Sequence, residues 1–321
     1  MKGEPTLKIL VTGGAGFIGA NLVRVLLDAG HDVRVLDNFS VGSRAHLDGL
    51  AVEIVKGNIL DPGTVKRAVA GVDGIVHLAA QTGVPGSLAD PRHDCETNVL
   101  GTLTMLEAAR HAGVDRFVFA SSNAPLGRQP PPATEDKAPL PIAPYGASKL
   151  AGEGYCLAYY GSWGLGTVVL RFANVYGPYS AHKHSVVAKF FKDLRRGGTI
   201  TIDGDGLQTR DFIYVGDLCR AIRLALESDV CGEVFQVATG VETSILALAE
   251  QVQAVTGREI ETQHGPARRG DIRKNYSAVR KVERMLGWAP EVALGEGLRR
   301  TWAWFAGWGN TDESLFIRSA L

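Results

Sequence analysis

The chain has 321 residues, 45% of them hydrophobic, with 34 basic and 34 acidic side chains and a formal net charge of zero. That length suits one large α/β unit or a main domain with a smaller partner, and the charge balance argues against nucleic acid or an anionic membrane surface as a partner. The opening MKGEPTLKILVTGG has an apolar run too short for a signal peptide or a membrane span, so a cytoplasmic location is expected. Cys95, Cys156, Cys219 and Cys231 show no CxxC spacing and read as buried thiols in a reducing compartment, with no disulfide or metal role.

Short apolar, β-rich runs predict strands over Lys8–Thr12, His31–Asp37, Val52–Lys56, Gly74–Ala79, Arg116–Ser121 and Thr167–Phe172. Helical patterns fall between them, over Phe17–Ala29, Pro62–Ala70, Glu96–Ala112 and Tyr145–Tyr160. Pro62 after Asp61 is a helix start, because proline fits the first turn and aspartate caps it. Strands this apolar, alternating with helices, predict a parallel sheet covered on both faces. Gly127–Pro144 holds six prolines and reads as a loop. After Asn174 the rhythm breaks into long loops, a basic helix over Ser185–Arg196 with a solvated face, and a short strand over Thr199–Asp203. The expected division is 1–174 for the first domain, with 209–240 returning to it through a strand near Val234–Ala238, and 175–321 for a smaller second domain.

VTGGAGFIG follows the first strand and opens the first helix, with Gly13, Gly16 and Gly19 spaced GxxGxxG. Glycines there permit a tight turn, close backbone approach to a diphosphate and tight helix–strand packing. Asp37 ends the second strand 18 residues after Gly19, where a carboxylate meets ribose hydroxyls and disfavours a 2′-phosphate; NAD is expected over NADP.

FASSNAPLG places Ser122 just where the fifth strand stops, and PYGASKLAGE places Tyr145 and Lys149 one helical turn apart. A free tyrosine titrates near ~10. A lysine ammonium and an oxidised nicotinamide would both favour the phenolate; lowering the pKa by about three units takes roughly 4 kcal/mol. Tyr145 is then a candidate base for a substrate alcohol, Ser122 its hydrogen-bond partner, and Lys149 a ligand of the nicotinamide ribose.

With TGGAGFIG, LDN, GNILD, HLAAQ, ETNVLGT, YGASK, LRFANVYGP and GDGLQTRDFIYVGD on the page, the sequence resembles the extended short-chain dehydrogenase/reductases, in the branch of NAD-dependent nucleotide-sugar epimerases and dehydratases. The resemblance implies a doubly wound Rossmann sheet with a smaller C-terminal substrate-binding domain, and a homodimer. It implies that Gly13, Gly16, Phe17, Ile18, Gly19, Asp37, Asn38, Asn58, Ile59, Leu78, Ala79, Ala80, Asn98, Tyr145 and Lys149 hold NAD. It implies that Asn174, Arg210, Arg268 and Asp271 hold the nucleotide diphosphate of a UDP-sugar, with Ser122, Asn123, Thr201 and Asn275 completing the substrate set and no metal. Related 4,6-dehydratases carry Asp and Glu after the catalytic hydroxyl; here those positions are Asn123 and Ala124, neither of which shuttles a proton. That leaves alcohol oxidation and its reversal, the chemistry of a 4-epimerase acting on UDP-glucose and UDP-N-acetylglucosamine through a 4-keto sugar. The alternatives are another enzyme of the branch (a UDP-glucuronate 4-epimerase, a dehydratase or a reductase), a dehydrogenase of a non-sugar alcohol, and an NAD-sensing binding protein. Tyr179 stands where relatives acting on UDP-glucuronate often carry Arg, which favours neutral sugars, and Asp203 replaces an aromatic residue common beside uracil. His182, Lys183 and His184 are read as a solvated loop, with sugar contact as the alternative, and Trp302, Trp304, Phe305 and Trp308 as packing residues.

Overall fold

The computed structural model describes residues 6–197, 199–258, 261–267 and 272–307. In the first half, β1 (Lys8–Thr12), β2 (Asp32–Asp37), β3 (Val52–Lys56), β4 (Gly74–His77), β5 (Arg116–Ser122) and β6 (Gly166–Phe172) alternate with α1 (Phe17–Asp28), α2 (Pro62–Val69), α3 (Val84–Ala89), α4 (Pro91–Cys95), α5 (Gly101–Ala112) and α6 (Pro144–Trp163). The second half adds β7 (Asn174–Tyr176), α7 (Val186–Arg195), β8 (Ile200–Asp203), β9 (Thr209–Arg210), β10 (Phe212–Tyr214), α8 (Val215–Glu227) and β11 (Glu233–Val237). It closes with β12 (Thr243–Ser244), α9 (Ile245–Thr256), β13 (Thr262–Gly265), α10 (Arg280–Leu286) and α11 (Leu294–Gly307).

One parallel sheet runs in the order β11-β6-β5-β4-β1-β2-β3. It is a doubly wound Rossmann sheet. The chain goes from β3 at one edge to β4 on the far side of β1, so a crevice opens at the carboxyl ends of β1 and β4. Alternate residues of each strand serve opposite faces. Ile9 and Val11 pack with α1 and α8, while Leu10 packs with α2 and α5. On β5, Val118 and Ala120 face the first layer and Phe117 and Phe119 the second. Each such buried side chain contributes about 1.5–3 kcal/mol before entropy is charged against it.

Asp61 caps α2 by accepting from the Gly63 and Thr64 amides, with Pro62 at the first helical position, worth about 1 kcal/mol. The helix expected over Glu96–Ala112 is divided: Glu96–Leu100 is a π-helical turn, and only then does α5 begin. The wider turn is held by bonds from Asn98 to other elements, which periodicity does not report. The cysteine expectation is also corrected. Cys156 and Cys219 are buried, but Cys95 is exposed and Cys231 half-buried; all four are free thiols. Spacing argues against pairing and says nothing of depth.

A second lobe has its own core of Phe190, Phe191, Ile200, Leu248, Val252 and Phe305, with Trp302 and Trp304 packed against it. Trp308 lies outside the described residues. The inner face of the basic helix α7 is filled by Val187, Ala188, Phe190, Phe191 and Leu194, and the solvated face expected of it is corrected: Lys189 and Lys192 are half-buried and donate to the Thr201 and Lys183 carbonyls.

Candidate functional site

A cleft of about 370 Å³ lies over the carboxyl ends of β1 and β4. Of the residues expected around NAD, Gly13, Gly16, Phe17, Ile18, Gly19, Asp37, Asn38, Asn58, Ile59, Leu78, Ala79, Ala80, Tyr145 and Lys149 all line it. Gly13 has φ +68°, and a Cβ on Gly19 would lie 2.3 Å from the Gly13 carbonyl oxygen, so the turn excludes larger residues. Helix α1 has no side-chain cap and no acidic residue in its first turn. Its free N–H groups and positive dipole end therefore face the cleft, an arrangement suited to an anion. Asp37 accepts from the Ala15 amide at 2.9 Å and the Phe39 amide at 2.8 Å. One oxygen is engaged on each side, with lone pairs left for hydroxyls. Burial raises its pKa, and those two bonds together with His46 oppose the rise. A glycine cradle, an uncapped helix end and a buried carboxylate fit a dinucleotide.

Helix α6 lies close on β5 because Gly152 has no side chain; a Cβ there would meet the Phe119 ring at 2.4 Å. That approach delivers Tyr145 and Lys149 to the end of β5. The Tyr145 hydroxyl hydrogen-bonds Ser122, and Ser122 Oγ accepts from the Ala124 amide at 3.0 Å. Ser122 is not in the cleft wall itself and reaches it through Tyr145. Lys149 Nζ donates to the Ala120 carbonyl at 2.8 Å and lies 5.0 Å from the centre of the Phe119 ring. Burial pushes Lys149 down to about 8, against the pull of Asp94, Cys156 and Glu153. Tyr145 is pushed up to about 12, chiefly by burial, with the Ser122 bond opposing and Asp94 adding to the rise. The expected lowering of Tyr145 by Lys149 is absent, because desolvation exceeds every charge the protein itself supplies.

Asn98 stands behind the wall, not in it. It is buried, donates to the Gln81 carbonyl, Asp94 and Ser148, and accepts from the Gln81 amide at 2.8 Å. It thus ties the loop after β4 to the residue beside Lys149. Three features escaped the sequence reading. His77 is held neutral by burial, near pKa 3, and bonds Thr12 and Thr102, while Thr12 Oγ1 accepts from the Ala79 amide. Glu153 pairs with Arg171 at 2.6 Å and accepts from Ser121. Asp94 keeps one buried oxygen without a partner. Only the HLAAQ and YGASKLAGE strings around them signalled anything.

The expected substrate residues are dispersed. Asn174 opens β7, its amide donating to the Asp211 carbonyl at 2.9 Å. Arg210 Nη1 donates to the carbonyls of Thr209 and Ile272, each at 2.7 Å. Thr201 accepts from Gln263 across β8 and β13. Asn123 and Asn275 share a small cavity of about 20 Å³ with Tyr276. Arg268 and Asp271 lie outside the described residues. The loop expected to be solvated is corrected: His182 and Lys183 line the cleft, and only His184 is exposed.

A dinucleotide crevice with a serine, a tyrosine and a lysine gathered beside it defines the short-chain dehydrogenase/reductase class. Residues 9–238 match the model of the NAD dependent epimerase/dehydratase family. The chain belongs to that family, and NAD is its cofactor. It is 40% identical over 308 residues to the UDP-glucose 4-epimerase of Mycolicibacterium smegmatis, covering 93% of this chain and 98% of that one. It is 37% identical over 313 residues to the dTDP-glucose 4,6-dehydratase of Streptomyces niveus, covering 93% of each. The structure is similar to that of Thermus thermophilus UDP-glucose 4-epimerase in complex with NAD, with TM-score 0.88, 38% identity, and coverage of 94% of this chain and 99% of that one. No described helix is long and apolar enough to cross a membrane, and no described cluster of His, Cys, Asp and Glu could hold a metal ion.

Proposed function

We propose that the protein is a nucleotide-sugar 4-epimerase acting on UDP-glucose and UDP-N-acetylglucosamine with retained NAD. One observation carries the choice between epimerase and dehydratase. Ser122 is followed by Asn123, whose amide donates to Ser277 Oγ at 2.9 Å, and by Ala124. Neither position holds an acid that could protonate a leaving hydroxyl and remove the neighbouring proton. The likeness to a UDP-glucose 4-epimerase supports the same reading.

Tyr145 takes the proton of the sugar C4 hydroxyl and Ser122 holds its oxygen. Lys149 stays anchored on Ala120 and binds the nicotinamide ribose. Bound NAD would supply the hydride acceptor for C4 and the donor for its return to the opposite face, and its charged ring would favour ionised Tyr145. Arg210 and Asn174 are the described candidates for the nucleotide diphosphate. A homodimer is part of the proposal: α6 exposes Tyr155, Leu157, Tyr160 and Trp163, and such a face on a helix suits a second copy. Light scattering on the parent and on Trp163→Glu checks it; two monomeric species would remove it.

The function is tested by incubating the purified protein, without added NAD, with UDP-glucose, UDP-N-acetylglucosamine, UDP-glucuronate and dTDP-glucose. Inversion at C4, read by NMR, is expected for the first two. A 4-keto-6-deoxy product would assign it to the dehydratases, and NADH formed in proportion to substrate would make it a dehydrogenase.

A further inference from the structure

The cleft wall supplies the cofactor's diphosphate with backbone N–H groups and a helix dipole, but α1 offers no cation in either end turn. Two lysines line the cleft, Lys149 and Lys183. Lys149 is committed beside Tyr145. Lys183 comes from the other lobe, and its placement is specific.

Residues 178–183 form a strap between the two banks of the glycine-rich turn. On one bank, Asn21 in α1 donates to the Pro178 carbonyl at 3.1 Å and also to Phe17, in the first turn of that helix. Tyr179 packs against Arg24, His46 and Trp304, with its ring 5.1 Å from that of His46. His46 in turn bonds the Ala15 carbonyl inside the glycine motif. On the other bank, Lys183 Nζ donates to Thr82 Oγ1 at 3.2 Å, just beyond the wall formed by Leu78, Ala79 and Ala80.

The strap has a fixed shape. Tyr179 holds φ +65°, a conformation a bulky residue adopts only when its surroundings impose it. The Lys183 amide closes a turn on the Ser180 carbonyl, and Lys192 donates to the Lys183 carbonyl at 2.8 Å. Lys183 is half-buried, and among the described residues it has no carboxylate partner; burial alone bears on its pKa and lowers it. A desolvated ammonium with only a neutral hydroxyl for company is costly unless an anion joins it.

We propose that Lys183 is the counter-cation of the cofactor's diphosphate, carried across the glycine-rich turn by the strap. The assignment rests on NAD occupying this cleft, and it is independent of which sugar is turned over. The strap thereby links retention of NAD to the second lobe.

The test uses Lys183→Met and Lys183→Arg in the full chain, with NAD removed and restored. Titration calorimetry measures the Kd for NAD and for UDP, and the NAD remaining after gel filtration is measured by its absorbance on denaturation. Lys183→Met should weaken NAD by 10-fold or more, flatten the salt dependence of its binding, and leave UDP within 2-fold; Lys183→Arg should restore most of the loss. Unchanged NAD affinity in Lys183→Met overturns the proposal. So does a loss confined to UDP, which would move the lysine to the sugar nucleotide. Neither result alters the epimerase assay, so failure here is distinct from failure of the proposed function.

Discussion

Asn123 donates to Ser277 Oγ at 2.9 Å, joining the end of β5 to a segment 154 residues further along the chain. The bond holds the side chain after Ser122 toward the second lobe, and the other amide atom, Oδ1, has no protein partner. Ser277→Ala should leave the amide nitrogen unpaired as well, at a cost of about 1–3 kcal/mol. Urea unfolding measures this; a change under a few tenths of a kcal/mol would mean the bond is dispensable.

Tyr145→Phe should retain the fold and the bound NAD while turnover falls by about 10² or more, the usual scale for a general base. Near-normal turnover would remove Tyr145 from the chemistry. Loss of bound NAD instead would make it a cofactor ligand first.

Lys149 gives a pH dependence whose sign is fixed by its depressed pKa, about 8 in the fold. The group favours the fold fully above its unfolded pKa, near ~10.5, and that contribution is lost as pH falls from there to about 8. Below that window the cofactor-free protein carries a penalty of about 3 kcal/mol from the buried ammonium. Lys149→Met should remove the slope and most turnover without lowering the melting temperature at pH 7. The check is thermal unfolding of parent and variant at several pH values between 7 and 10; parallel curves would refute it.

Asn275 lies in the same small cavity as Asn123, beside the strand that ends at Ser122. If it gates the 2-substituent of the sugar, Asn275→Tyr should abolish activity on UDP-N-acetylglucosamine and spare UDP-glucose, because overfilling a closed site costs about 1–3 kcal/mol. Kinetics on both substrates decide it, and a parent that ignores the N-acetyl sugar disproves the gate.

The strands and the cofactor crevice were legible because each depends on a local pattern. Apolar runs set β1 to β6 within two residues at either end, and the turn from Gly13 to Gly19 needs glycine wherever it occurs. What escaped depends on contacts between distant segments. Asn98 sits behind the wall because a π-helical turn rotates it toward Gln81 and Ser148. Asp211 gathers the Thr239, Gly240 and Ser277 amides, a focus no spacing announces. His182 and Lys183 look solvated in a polar loop, and only the fold brings that loop over the cleft. At Tyr145, spacing puts the lysine one turn away but does not weigh burial, which in the protein alone raises the hydroxyl's pKa.

The return of the chain to the sheet through β11 has a consequence for anyone recombining such proteins. A fragment ending near residue 174 would keep six strands and lose α8, whose Leu218, Ala221, Ile222 and Ala225 are fully enclosed against Ile9, Val11 and Val118. The part of that face which α8 covers beside α1 would meet water, a loss of about 1.5–3 kcal/mol for each large side chain uncovered. The cofactor half is therefore not a portable module. A transplant of sugar preference from a relative would have to exchange two separate stretches, one between β6 and α8 and one after β11, while the intervening helix and strand stay with the host.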